Sequence, residues 1–248
     1  DSFLLIISGG WSDTPPITYE LGGCVTNVAV LLDGDRQIGA SAKRATEPPG
    51  IITLVVEGVG GEVVSRVLVR ESADLEDRRD PAAPAALLKC CLVCEGIVGG
   101  GDVQAELLAS IGCVGLELRC WSRVPQGSGL GTSSILAACC VAALRSATRG
   151  GYEIDDPERA DIVLTVMRIE QELSTGGGWQ DNVGGVYGGA KIGPPVTLVD
   201  SKGTNFFFNG PRWGESVSIV LATARDIGEK NFGTGAGAGA GAGAVTHW

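Results

Sequence analysis

Ten residues constrain this chain more than any others: Pro125, Gln126, Gly127, Ser128, Gly129, Leu130, Gly131, Thr132, Ser133 and Ser134, which run straight into the apolar segment 135–144. Gly127, Gly129 and Gly131 at alternate positions let the backbone take positive φ and approach a ligand closely. Thr132, Ser133 and Ser134 then place hydroxyls and unpaired N–H groups in the first turn of a helix. An anion is the natural guest of such a loop, because free amides and the helix dipole both favour negative charge. The alternative is a strand-to-helix turn whose glycines serve only sterics. The loop lacks the Lys of Gly-x-x-x-x-Gly-Lys-Ser/Thr and the spacing of Gly-x-Gly-x-x-Gly, so it is neither of those phosphate sites.

Two further stretches carry chemistry. Residues 8–20 read Ser-Gly-Gly-Trp-Ser-Asp-Thr-Pro-Pro-Ile-Thr-Tyr-Glu, with Gly22 and Gly23 just beyond, and residues 176–185 read Gly-Gly-Gly-Trp-Gln-Asp-Asn-Val-Gly-Gly. With the glycine loop, which has the form Pro-x-Gly-x-Gly-Leu-Gly-Ser/Thr-Ser, they resemble the three motifs of the GHMP small-molecule kinases, in family order. The first motif is similar to its fucokinase form, and the third to the fucokinase and heptose-kinase form.

That resemblance implies an α+β fold, a two-layer α/β sandwich like domain 2 of ribosomal protein S5. It also implies ATP and Mg²⁺ as cofactors and a small sugar as substrate, L-fucose first. Fucose 1-phosphate made this way would enter the salvage route to GDP-fucose. A heptose phosphate is the runner-up, and Trp11 with Thr14-Pro15-Pro16 favours fucose. Residues 125 and 127–134 would hold the triphosphate, with Ser133 aligned to the serine that reaches Mg²⁺. Glu170 stands eleven residues before Asp181, the family's separation for its second Mg²⁺ ligand, and oxygen ligands suit that ion. Asp181 would take or orient the proton of the attacking hydroxyl. Gly10, Trp11, Asp13 and Gly178 would meet the sugar, Asp13 accepting from its hydroxyls. Alternatives stand beside these roles: an Asx-turn for Asp13, a turn after the helix for Asp181, and a buried ion pair with Arg168 or Arg145 for Glu170.

Composition narrows the class. Of 248 residues 44% are apolar, enough for a sizeable core. A net charge of −10 argues against a nucleic-acid surface. Without an uninterrupted apolar window of membrane-spanning length or a basic region before residues 3–7, neither a membrane span nor a signal peptide is expected. Of the eight cysteines, Cys24, Cys139 and Cys140 sit in apolar runs and are expected to be buried thiols of a reducing, cytoplasmic protein. Cys91 and Cys94 have half the spacing of a zinc site, with no second pair to complete it.

Along the chain, residues 51–56 and 63–69 read as a β-hairpin, 25–32 and 114–121 as strands, and 85–97 as a helix. Residues 70–80 read as a polar loop or surface insert. The helix 133–145 is apolar all round and so should be covered on every side. A second helix opens at Asp155-Asp156-Pro157 and runs to about Ser174. At about 100° per residue, Ile162, Val166, Ile169 and Leu173 share one face, and Glu170 lies within that arc. Glu172 points away, as a solvated charge. Residues 196–199 read as a strand, and the runs 206–208 and 217–221 are short and apolar.

The resemblance breaks at both ends. The family's first motif opens with Arg-Val-Asp or Arg-Val-Asn, its cation near the transferring phosphoryl group, where this chain has Leu4, Leu5 and Ile6. Losing such a cation costs about two to four orders of magnitude in rate. The expected organisation is a GHMP kinase N-terminal domain over 1–193, a poorly defined remnant over 194–234, and a Gly-Ala low-complexity tail over 235–248. A chain truncated or spliced at both ends, either impaired as an enzyme or reduced to a silent sugar- and nucleotide-binding fragment, is the resulting expectation.

Overall fold

The structure is a computed structural model that describes residues 3–193 apart from 15, 22, 32, 33, 35, 126–128, 151–153, 175 and 176, together with 198, 199, 205 and 206. Gly127 and Ser128 of the glycine loop, the runs 207–208 and 217–221, and the Gly-Ala tail lie outside the described residues. So does all but a two-stranded ladder of the 194–234 segment, in which Leu198–Val199 pairs with Asn205–Phe206.

In chain order the described elements are β1 (Phe3–Ser8), α1 (Ile17–Glu20), β2 (Val25–Val30), β3 (Ile38–Ala45), β4 (Ile51–Glu57), β5 (Val63–Val69) and a 3₁₀ helix (Ser72–Arg79). Then come α2 (Ala86–Cys94), α3 (Val103–Ile111), β6 (Gly115–Ser122), α4 (Thr132–Arg149), α5 (Asp156–Glu172), α6 (Gln180–Val186) and β7 (Ala190–Gly193). They make two sheets with helices packed against them, a mixed α+β architecture. A four-stranded sheet runs β3-β6-β4-β5, with β4 and β6 parallel and the outer pairs antiparallel. A three-stranded antiparallel sheet runs β1-β2-β7.

Alternation decides which face of the larger sheet is covered. Ile52 and Leu54 on β4 register with Leu116 and Leu118 on β6, and these four are fully or almost fully buried. They join one core with Leu88 and Leu92 of α2, Leu107 of α3, Val141 and Leu144 of α4, and Val166 and Ile169 of α5. Burying a side chain of this size is worth roughly 1.5–3 kcal/mol, so the shared core is what holds the helical layer on the sheet. α4 is the central helix of that layer, as its all-round apolar character requires.

Three local expectations change. Of the two readings of residues 70–80 the loop gives way to an ordered insert: Asp74 accepts hydrogen bonds from the backbone N–H groups of Arg70 (2.8 Å) and Glu71 (3.2 Å), which starts the 3₁₀ helix. Glu172 is not merely solvated, since it accepts from Arg79 Nε at 2.9 Å and ties that helix to α5. Cys24 is exposed, because it lies just before β2 at the edge of the core. None of the eight cysteines forms a disulfide, and among the described residues no cluster suited to a metal ion forms from His, Cys, Asp or Glu. No described helix is long and apolar enough to cross a membrane.

Candidate active site

The site forms where β1, the glycine loop, the end of α5 and the start of α6 converge. The backbone N–H of Leu4 on β1 donates to the carbonyl of Leu130 at 3.2 Å, which binds the loop to the smaller sheet. Gly129 and Gly131 both take positive φ, +71° and +68°. Gly131 is the N-cap of α4, and no side chain caps that helix start. The Thr132 hydroxyl oxygen is buried without a hydrogen-bond partner. Uncapped amides and an orphaned hydroxyl are what an anion-binding helix start requires.

Asp181 lies in the first turn of α6 with its carboxylate packed against Gly131, so a Cβ on that glycine would stand 3.2 Å from its Cγ. Its Oδ1 is buried and has no partner. Burial first, then the negative charges of Glu170 and Asp13, push its pKa up to about 6. Asp13 accepts from the backbone N–H of Gln180 and Glu170 from the side chain of Asn182, so the two residues flanking Asp181 tie both other carboxylates to its turn.

Asp13 is completely buried. Its Oδ2 accepts from the backbone N–H of Gln180 at 2.8 Å, rather than closing a local Asx-turn, while Oδ1 has no partner. Burial raises its pKa, and the hydrogen bond from Gln180 opposes that. The turn that delivers it is built from neighbours instead: Ser12 Oγ donates to the Gly9 carbonyl at 2.6 Å, and Thr14 Oγ1 to the Trp11 carbonyl at 2.7 Å. Gly178 faces the Asp13 carboxylate so closely that a methyl group there would overlap it. Gly10 borders Ile6 and Gln180 Oε1. Trp11, at positive φ, is 73% exposed.

Glu170 is 8% exposed, on the buried face of α5 as its position in the stripe requires. Its Oε1 accepts from the Ser134 hydroxyl and its Oε2 from Asn182 Nδ2 at 3.3 Å. Burial raises its pKa, and those two hydrogen bonds oppose the shift. An ion pair with Arg145 is not its role, because that guanidinium is held by Glu95, Glu158 and Asp161. Ser133 and Pro125 are exposed, and Leu130 is half-buried.

Two residues of this arrangement escape sequence reasoning, Gln180 and Asn182. Asn27 Nδ2 donates to the Gln180 carbonyl at 3.2 Å while Asp13 holds its N–H, so the residue before Asp181 is clamped from both sides. The available signal was adjacency: both flank Asp181 in a glycine-rich motif.

Residues 102–189 match the GHMP kinases N terminal domain. The chain is 37% identical over 186 residues to the bifunctional fucokinase/GDP-fucose pyrophosphorylase of Arabidopsis thaliana, covering 74% of this chain and 16% of that protein. It is 30% identical over 191 residues to the L-fucokinase/L-fucose-1-P guanylyltransferase of Bacteroides fragilis, covering 75% of this chain and 19% of that one. The chain thus spans less than a fifth of the length of these relatives. Among solved structures, a D-glycero-D-manno-heptose 1-phosphate kinase from Bacteriodes thetaiotaomicron shares its fold with a TM-score of 0.54 at 16% identity, over 91% of this chain and 70% of that one. The Methanococcus jannaschii mevalonate kinase does so at 0.51 and 13%, over 84% and 54%.

Proposed function

We propose that this chain, whose residues 102–189 match the GHMP kinases N terminal domain and which is 37% and 30% identical to two fucokinase proteins, is the N-terminal part of an ATP- and Mg²⁺-dependent sugar kinase that phosphorylates L-fucose at its 1-hydroxyl. The product would enter the salvage route to GDP-fucose, in the cytoplasm. The observation that carries the reading is Asp181 packed against Gly131, a carboxylate of raised pKa beside an uncapped helix start.

The residues present fit the two cofactors. Thr132 Oγ1, Asp13 Oδ1 and Asp181 Oδ1 are buried polar atoms left without partners, which a bound polar ligand would satisfy. Bound together, ATP supplies the phosphoryl group and Mg²⁺ offsets its charge. The glycine loop and the first turn of α4 would hold the phosphates through backbone N–H groups. Glu170 with Ser133 would hold the metal, and Ser134 and Asn182 fix the Glu170 carboxylate.

Asp13 would accept from sugar hydroxyls through its free Oδ1, with Gly10 and Gly178 allowing close approach and Trp11 covering an apolar face of the ring. Asp181 would take the proton of the 1-hydroxyl. A pKa of about 6 leaves it ionised at neutral pH yet close enough to accept that proton readily. Positioning and charge stabilisation supply most of the catalysis in such transfers.

One observation favours a second reading, a silent binding fragment. Leu4, where the family carries its cation, is fully buried among Ile38, Val124, Ile135 and Cys139. The test is calorimetry with Mg-ATP and fucose alongside a turnover assay over a sugar panel. Fucose phosphorylation abolished by Asp181→Ala supports the kinase, and binding without turnover supports the fragment. Transfer to a heptose phosphate but not to fucose overturns the substrate assignment, and failure to bind either ligand overturns both readings.

A further inference from the structure

Between α4, the start of α5 and the residues that follow α6 lies a cavity of about 360 Å³. Its volume falls in the range of small-molecule sites. Ile135, Cys139 and Ala142 of α4 and Ile162 of α5 supply apolar walls, and two arginines, Arg36 and Arg159, line the same space.

These two cations differ from Arg145 and Arg149 of α4 in their partners. Arg145 is taken by Glu95, Glu158 and Asp161, and Arg149 by Glu158. Neither Arg36 nor Arg159 forms an ion pair with another described residue. Arg159 Nε is buried and has no hydrogen-bond partner. The Arg36 charge reaches Cys139 on the apolar wall, where it works against the upward push of burial on that thiol. In a chain of net charge −10, the buried and unpartnered Arg159 Nε is an unmet demand for an acceptor, and the exposed Arg36 adds a second positive charge at the mouth of the same apolar cavity. Leaving a buried guanidinium nitrogen unsatisfied costs free energy that a bound anion would offset.

We propose that this cavity binds a small organic anion with an apolar body, its carboxylate or phosphate head held by Arg36 and Arg159. The apolar walls exclude a bare inorganic ion as the preferred guest, since it would leave them facing water. The planar guanidinium fork suits either oxyanion head. This site does not depend on the kinase reading, because none of its lining residues is among those assigned to ATP, Mg²⁺ or sugar.

The test is calorimetry on the full 248-residue chain with octanoate, octyl phosphate and octanol as probes, each kept monomeric. At least one anionic probe should bind tenfold or more tightly than octanol. Arg36→Gln and Arg159→Met should each weaken that binding at least tenfold, with circular dichroism confirming the fold. Arg36 is exposed, so its variant serves even where the Arg159 variant fails to fold. Tighter binding of octanoate assigns a carboxylate guest, and tighter binding of octyl phosphate a phosphate ester. Binding of octyl phosphate that survives both substitutions belongs to the glycine loop and overturns the proposal. Equal binding of octanol, or no binding of either anion, overturns it as well.

Discussion

The carboxylate of Asp13 accepts a hydrogen bond from the backbone N–H of Gln180, 2.8 Å away and 167 residues further along the chain. One carboxylate oxygen thereby fixes the start of α6, and with it Asp181, while the other oxygen is left without a partner. The proposed sugar contact and the proposed proton acceptor are built as one unit. Whatever displaces Asp13 displaces Asp181.

Gly178→Ala tests that unit. The added methyl overlaps the Asp13 carboxylate, which is fully buried. Overpacking of this kind costs about 1–3 kcal/mol. Calorimetry should show fucose affinity falling by about tenfold or more while Mg-ATP binding changes less, because the glycine loop is untouched. Unchanged fucose affinity would count against Asp13 as a sugar contact.

Asp181 makes the ligand-free chain sensitive to pH. Its pKa is raised to about 6 from an ordinary 3.8, so the folded state favours the neutral acid. The stabilising contribution is therefore complete below about pH 3.8 and is lost as pH rises through about 6. Asp181→Asn removes the charge, and should raise stability at pH 7.5 by about 1–3 kcal/mol, with the difference closing toward pH 4. Urea unfolding at the two pH values reads this directly, and an identical difference at both would refute it.

Ser134→Ala should matter more than Ser133→Ala for the fold. Ser134 is 3% exposed and its hydroxyl donates to Glu170, whereas Ser133 is exposed. Removing the donor leaves a buried carboxylate oxygen short of a partner, at a cost of about 1–3 kcal/mol. Denaturant unfolding should show that loss for Ser134→Ala and less than about 0.5 kcal/mol for Ser133→Ala. The Mg²⁺ dependence of ATP binding should weaken in both, through Glu170 in the first and through the metal itself in the second.

Leu4→Arg would restore the family's cation in sequence without restoring it in function. Leu4 has no exposed surface and packs in an apolar cluster with Ile38 and Ile135, so a guanidinium there lacks water and a partner. The expected result is a loss of about 3–5 kcal/mol in thermal or urea unfolding and no gain in turnover. A stable, faster variant would show that β1 can turn this position toward the phosphates.

The glycine loop, the order of the three motifs and the identity of the carboxylates were all legible in the sequence, because each rests on local chemistry. Positive φ needs glycine, a helix start needs its amides answered, and the α5 stripe put Glu170 on the core face by helical phase alone. Three things needed the assembled protein. They are the choice of Ser134 as the hydroxyl that meets Glu170, the clamp of Asp13 and Asn27 on Gln180, and the burial of Leu4. Strands β1 and β3 were also missed. The first is a short apolar run, and the second, Ile-Gly-Ala-Ser-Ala-Lys-Arg-Ala, is made mostly of small residues and becomes a strand through its pairing with β6. In each case the deciding partner lies tens of residues away or more, and only packing of the two layers brings it within hydrogen-bonding or van der Waals reach.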